Sequence, residues 1–214
     1  MSLSPEAFHY RELGDDCFRA EDYAGAVSHY DRAIEISSDY VLAYENRGLA
    51  YYLLQKYDQA IAEYDTCLRL SPNRTSVYWR RGLVHGRCRR YDEAIADYSM
   101  AIDLEPTEPW LYHVRGKAHY SKGDYPSAIA DYCRSLQLDP HNPFLYHGRG
   151  RAYAAAHDYD RALSDLNKTI ESAPEFILSY RERARVYAAL GMTALAEADN
   201  EIVRQLKSKQ PERK

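Results

Sequence analysis

No stretch of this 214-residue sequence approaches the roughly 20 consecutive apolar residues of a membrane-spanning helix, so none is expected. Cysteine is scarce. Cys17, Cys67, Cys88 and Cys133 form no CxxC pair and have no histidine at a metal-ligand spacing, which points to a reduced, cytoplasmic setting. The opening MSLSPEAFHY has neither the basic n-region nor the apolar h-region of a signal peptide. A large excess of one charge is also missing. At −4, the net charge predicts no attraction of the whole molecule to nucleic acid or an acidic membrane. GRGRAY at 148–153 bears glycines but lacks a phosphate-loop lysine and a preceding strand. No catalytic constellation stands out, so neither an enzyme nor a cofactor is predicted. What is present, 45% hydrophobic and 28% charged residues, suits an ordinary globular protein.

The organisation comes from self-similarity. Shifting the sequence by 34 residues superposes YENRGLAYYLLQKYDQAIAEYDTCLRLSP on YWRRGLVHGRCRRYDEAIADYSMAIDLEP, and the shift persists without insertion or deletion. Six repeats follow, at 7–40, 41–74, 75–108, 109–142, 143–176 and 177–210, with 1–6 and 211–214 as flexible ends. Position 4 of the repeat is Tyr10, Tyr44, Tyr78, Tyr112, Tyr146 and Tyr180; position 8 is glycine five times and then Ala184. Position 17 is tyrosine five times, position 20 is always alanine, and position 24 is Tyr30, Tyr64, Tyr98 and Tyr132 before Leu166 and Asn200. Position 32 is Ser38, then Pro72, Pro106, Pro140 and Pro174.

Apolar positions in three- and four-residue steps predict two amphipathic helices per repeat, helix A at about positions 1–14 and helix B from 15 to 28 and a turn beyond. Small residues at 8 and 20 leave room for close helix contact. Proline at 32 ends helix B, and Pro109 and Pro143 suit the first turn of a helix A. One such hairpin cannot bury its own apolar face, so stacking is required. Repeat 6 replaces aromatics by polar residues, as a terminal repeat with a wet outer face would. This pattern resembles the tetratricopeptide-repeat (TPR) signature over nearly the whole chain. The resemblance implies an all-α, right-handed superhelical α-solenoid of six helix-turn-helix units in a single domain, 7–210, acting as a protein-interaction scaffold.

Recurrence separates framework from function. Eighteen of the 21 tyrosines fall at positions 4, 11, 17 and 24 and are expected in the core; Tyr40, Tyr52 and Tyr120 fall outside. Arginine recurs at position 7 (Arg47, Arg81, Arg115, Arg149, Arg183) with acids at position 23, which predicts a repeated internal ion pair, the arginine stem packed on apolar surface. In the family that this sequence resembles, positions 2, 5, 9, 12 and 13 of helix A line a concave groove. Those positions and their neighbours place Arg11, Asn46, Tyr52, Trp79, Arg80, Arg87, Trp110, His113, Lys117, Tyr120, His147, Arg151, Arg181 and Arg185 as candidate peptide-binding residues. Aromatic and arginine side chains are the types that anchor binding partners. An aromatic at position 2 can instead pack between repeats. His113 and His147 share position 5 and read as a solvent-facing pair with no further ligand to complete a metal site.

Charge is segregated. Positions 1–14 of repeats 3 to 6 hold eleven Lys or Arg against one acid, Glu182, while positions 15–34 of repeats 3 to 5 hold five basic and fourteen acidic residues. A basic, aromatic-lined helix-A groove suits an acidic or mixed peptide. The carboxylate clamp by which some relatives grip chaperone tails is matched by Asn46 and Arg80 and approximated by Arg11. Asp15 and Ser76 oppose it, so a chaperone C-terminal tail is not expected. Two other uses remain: nucleic acid on the same basic face, and self-association.

Overall fold

The computed structural model describes residues 4–209. Among these the chain forms twelve α-helices and no strand: α1 Pro5–Arg19, α2 Tyr23–Ile36, α3 Val41–Leu53, α4 Tyr57–Leu70, α5 Thr75–Arg87, α6 Tyr91–Leu104, α7 Pro109–Lys122, α8 Tyr125–Leu138, α9 Pro143–Ala155, α10 Tyr159–Ser172, α11 Ile177–Ala189 and α12 Thr193–Ser208. Two compact units divide between Pro106 and Thr107, the first holding α1–α6 and the second α7–α12. Within each unit every odd-numbered helix packs on the even one that follows it, and each hairpin packs on the next. α1 includes Pro5 and Glu6, so these two residues are helical and do not belong to a loose end. The expected loose ends at 1–3 and 211–214 lie outside the described residues.

Helix B begins at position 17, two residues later than its periodicity suggested. Position 15 is left-handed in all six repeats: Glu21, Gln55, Arg89 and His157 have φ of 59–62°, Gly123 and Gly191 have 90° and 75°. Its N–H donates to the carbonyl of position 12, and the next N–H donates to that of position 11, as from Gln55 to Tyr52 and from Lys56 to Tyr51. This pair of bonds is the Schellman closure of a helix C-terminus. It satisfies two orphan carbonyls and turns the chain into helix B within three residues. Asp22, Asp124 and Asp158 then cap the new helix by accepting from the backbone N–H three residues on. At the far end α4, α6, α8 and α10 all stop at position 30, two residues before proline. α12, with Ser208 at that place, runs on to it.

The small residues allow the close packing. Alanines 26, 60, 94, 128 and 162 are wholly buried, and Tyr30, Tyr64, Tyr98 and Tyr132 are buried beside them. A Cβ on Gly48 or Gly82 would stand 2.8 Å from the ring of Tyr64 or Tyr98, nearer than real carbons approach. Position 27 adds a polar tie from helix B to the start of helix A. The Ser135 hydroxyl donates to the Pro109 carbonyl at 2.6 Å and that of Thr169 to Pro143 at 3.2 Å. Cys67 holds the same place, and its burial pushes the thiol up to about 12, so it stays a neutral core group. Tyr40, outside the repeating framework, is buried too, against Ala7, Ala43 and Tyr10. At the last turn Leu190, Met192 and Leu195 stay exposed, so the outer face of repeat 6 is only partly polar.

Candidate functional site

The recurrent arginines bind the framework together. Arg47, Arg81, Arg115, Arg149 and Arg183 each donate twice to the carboxylate sixteen residues on, Glu63, Asp97, Asp131, Asp165 or Asp199, at 2.6–3.0 Å. Reaching back the same distance as well, Arg47 meets Asp31, Arg81 meets Asp65, Arg149 the Cys133 sulfur and Arg183 Asn167. One guanidinium thus joins its own helix to both flanking B helices. It also lies 5.4–5.9 Å over the position-4 tyrosine ring. These arginines are structural, and their charge is spent inside the fold.

On the helix-A face of the first unit, most of the charge is also neutralised. Asp15 accepts from the Tyr30 hydroxyl at 2.7 Å and the Asn46 amide at 2.8 Å, and pairs with Arg11. Arg11 and Asn46 are therefore already engaged. Glu45 is 6% exposed and lies between Arg74, at 2.7 Å, and Arg80, at 3.5 Å. Arg80 also covers the half-buried Trp79 ring at 5.0 Å. Arg87 donates to the Tyr52 hydroxyl at 3.2 Å, and Tyr52 leans on Tyr57. A hollow of about 410 Å³ opens here, lined by Asp15, Phe18, Arg19, Tyr30, Asn46 and Leu49.

The second unit is different. Trp110, Phe144 and Leu178, all at position 2 of α7, α9 and α11, are 38%, 50% and 48% exposed. Phe144 nonetheless meets Phe176 edge to face at 5.1 Å, so position 2 packs and presents an apolar surface at once. Lys117, Arg151 and Arg185 share position 9, and Lys117, Arg181 and Arg185 are exposed. Arg151 stacks 4.6 Å over the Tyr120 ring. Glu182 answers the arginines from 3.1 Å at Arg185 and 4.0 Å at Arg151. His147, Arg151, Leu178, Arg181, Glu182 and Arg185 line a hollow of about 190 Å³.

The two histidines are not the solvent-facing pair that their shared position suggested. His147 is 7% exposed, lies against Phe176 and has its Nδ1 3.0 Å from the Ser179 hydroxyl; His113 is half-buried on the edge of Tyr132. Burial, helped by Lys117 beside His113 and Arg151 beside His147, lowers both to about 4, so both are neutral at pH 7. Phe144 and Leu178, at groove position 2, and Glu182, the one acid among the basic helix-A segments, join this face although none of the three was among the candidate peptide-binding residues. A large apolar residue at position 2 in five of six repeats was the available signal. Among the described residues, no group of three His, Cys, Asp or Glu is placed to hold a metal, and no helix is long and apolar enough to cross a membrane.

Hairpins of this 34-residue kind define a helical-repeat protein of the scaffold type. A family model described as TPR repeat matches residues 14–55, 48–87, 90–123 and 116–156, and one described as Tetratricopeptide repeat matches 147–211. The chain belongs to the tetratricopeptide-repeat family, whose members in general mediate protein–protein interaction and are not enzymes. Its fold is similar to that of a tetratricopeptide repeat protein from Parabacteroides merdae ATCC 43184 (19% identity, 97% of this chain and 82% of that one, TM-score 0.87). It is also similar to MamA (21%, 79% and 93%, TM-score 0.74) and to YrrB, described as a TPR protein with an unusual peptide-binding site (19%, 85% and 93%, TM-score 0.68). No curated protein matches the sequence.

Proposed function

We propose that the chain holds an extended segment of a partner protein, acidic or mixed in charge, on its helix-A face, with the face formed by α7, α9 and α11 as the principal contact. One observation carries this reading. Lys117, Arg151, Arg181 and Arg185 stand with a single carboxylate, Glu182, beside the exposed apolar row Trp110, Phe144 and Leu178. Apolar anchors flanked by cations favour a peptide that alternates acidic with apolar residues. Tyr120 holds the Arg151 guanidinium in place, which limits the entropy lost on binding. The first unit, taken by itself, carries its own helix-A candidates in Tyr52, Trp79 and Arg87. Arg11 and Asn46 take the lesser part, because Asp15 already engages them. The same carboxylate repels a C-terminal carboxylate, which argues against a chaperone tail as the ligand.

An array of 15-residue peptides of graded acidity, probed with the whole chain and with a Lys117→Ala, Arg151→Ala, Arg185→Ala variant, tests the proposal. The expected result is capture of acidic peptides by the native chain and loss of most of it in the variant. Unchanged capture by the variant removes this face from consideration. Capture of single-stranded RNA in place of peptides would establish the nucleic-acid reading.

A further inference from the structure

The hollow between α9 and α11 has more cationic donors than a simple carboxylate can use. We propose that it receives a phosphomonoester dianion carried on a serine or threonine of the bound segment. This rests on the reading of the α7–α9–α11 face as a peptide site.

Arg151, Arg181 and Arg185 face one carboxylate, Glu182, so the hollow carries a formal balance of +2. A phosphorylated side chain brings about −1.5 to −2 at neutral pH with three strong acceptor oxygens, whereas a carboxylate or a nucleic-acid phosphodiester brings −1. Each guanidinium has five N–H donors; Arg185 donates to Glu182 at 3.1 Å and Arg151 approaches it only to 4.0 Å, which uses few of them. Three forks exceed what one carboxylate accepts and fit a tetrahedral oxyanion. Glu182, 14% exposed at its side chain, draws Arg185 to 3.1 Å and Arg151 to 4.0 Å, which keeps the two guanidiniums together before a ligand arrives. Tyr120 fixes Arg151 from the other side. The hollow measures about 190 Å³, and Leu178, at its edge and 48% exposed, offers apolar contact to a neighbouring residue of the segment.

The test uses the whole chain and three fluorescent peptide libraries of degenerate sequence with phosphoserine, serine or glutamate fixed at the centre, read by anisotropy at pH 7.5. The phosphoserine library is expected to bind about tenfold more tightly than the glutamate library. Arg181→Ala and Arg185→Ala, both at exposed positions that leave the fold undisturbed, should each erase that advantage. Equal affinity for phosphoserine and glutamate would overturn the phosphate inference and leave the peptide reading standing. No binding by any library would overturn both. Calorimetric binding of inorganic phosphate without any preference for the phosphoserine library would mark a free-anion site and overturn the inference as well.

Discussion

Replacing Arg81 by methionine separates the two arms of the arginine staple. The guanidinium donates to Asp97 at 3.0 and 2.6 Å and to Asp65 at 2.5 Å, yet the two acids differ in surroundings. The Asp97 side chain is 6% exposed and that of Asp65 56%. Arg81→Met therefore leaves a buried carboxylate without its counter-charge, at a cost of about 3–5 kcal/mol. Asp65→Ala removes only a solvated contact and should cost less than about 1 kcal/mol. Replacing both partners, as Arg81→Met with Asp97→Leu, removes the stranded buried charge and should recover most of the loss. Urea unfolding of the four proteins gives the totals. Because a repeat array need not unfold as one unit, hydrogen exchange followed by mass spectrometry should place the loss of protection in α5 and α6. A cost below about 1 kcal/mol for Arg81→Met would refute the reasoning, and so would an Asp65→Ala cost equal to it.

Two glycines of α5 should respond oppositely to alanine. At Gly82 the new Cβ stands 2.8 Å from the buried Tyr98 ring, which predicts a loss of about 1–3 kcal/mol, while Gly86 has nothing within 4 Å and should gain about 0.5–1 kcal/mol in helix propensity; thermal melts of both variants decide. At the left-handed turn position, Gln55→Gly should stabilise and Gly123→Ala destabilise, each by about 1 kcal/mol, and a reversed sign in urea unfolding would contradict the strain assigned there. For His113 and His147 the folded value of about 4 lies below the unfolded value near 6.5, so the unfolded chain binds protons first on acidification. Their contribution is complete above pH 6.5 and is lost as pH falls toward 4, by up to about 3 kcal/mol each; urea midpoints from pH 7 to 4.5 and NMR titration of the two imidazoles check this.

The period of 34, the Tyr–Gly–Ala framework and the pairing of position 7 with position 23 were all legible in the sequence. Each reflects a contact made again in every hairpin, and a repeated contact leaves a repeated residue. The left-handed turn was not legible, because position 15 holds Glu, Gln, Arg, Gly, His and Gly in turn. There the backbone bonds set the conformation and the side chains point to solvent. Nor could the backward arm of the arginine staple be read, since its acceptors change from Asp31 and Asp65 to the Cys133 sulfur and Asn167.

The candidate site divides in the same way. Sequence alone determined that helix A carries the basic and aromatic residues from repeat 3 onward, because composition and register need no coordinates. Tertiary packing decided which of those charges remain available. Asp15 engages Arg11 and Asn46, and Glu45 lies between Arg74 and Arg80, whereas Glu182 pairs with Arg151 and Arg185 in a hollow that Arg181 also lines. It also made His147 a buried neutral base. Asn46 meets Asp15, Arg74 and Arg80 meet Glu45, and Arg151 meets Glu182 across about thirty residues of sequence, a separation that no local pattern encodes.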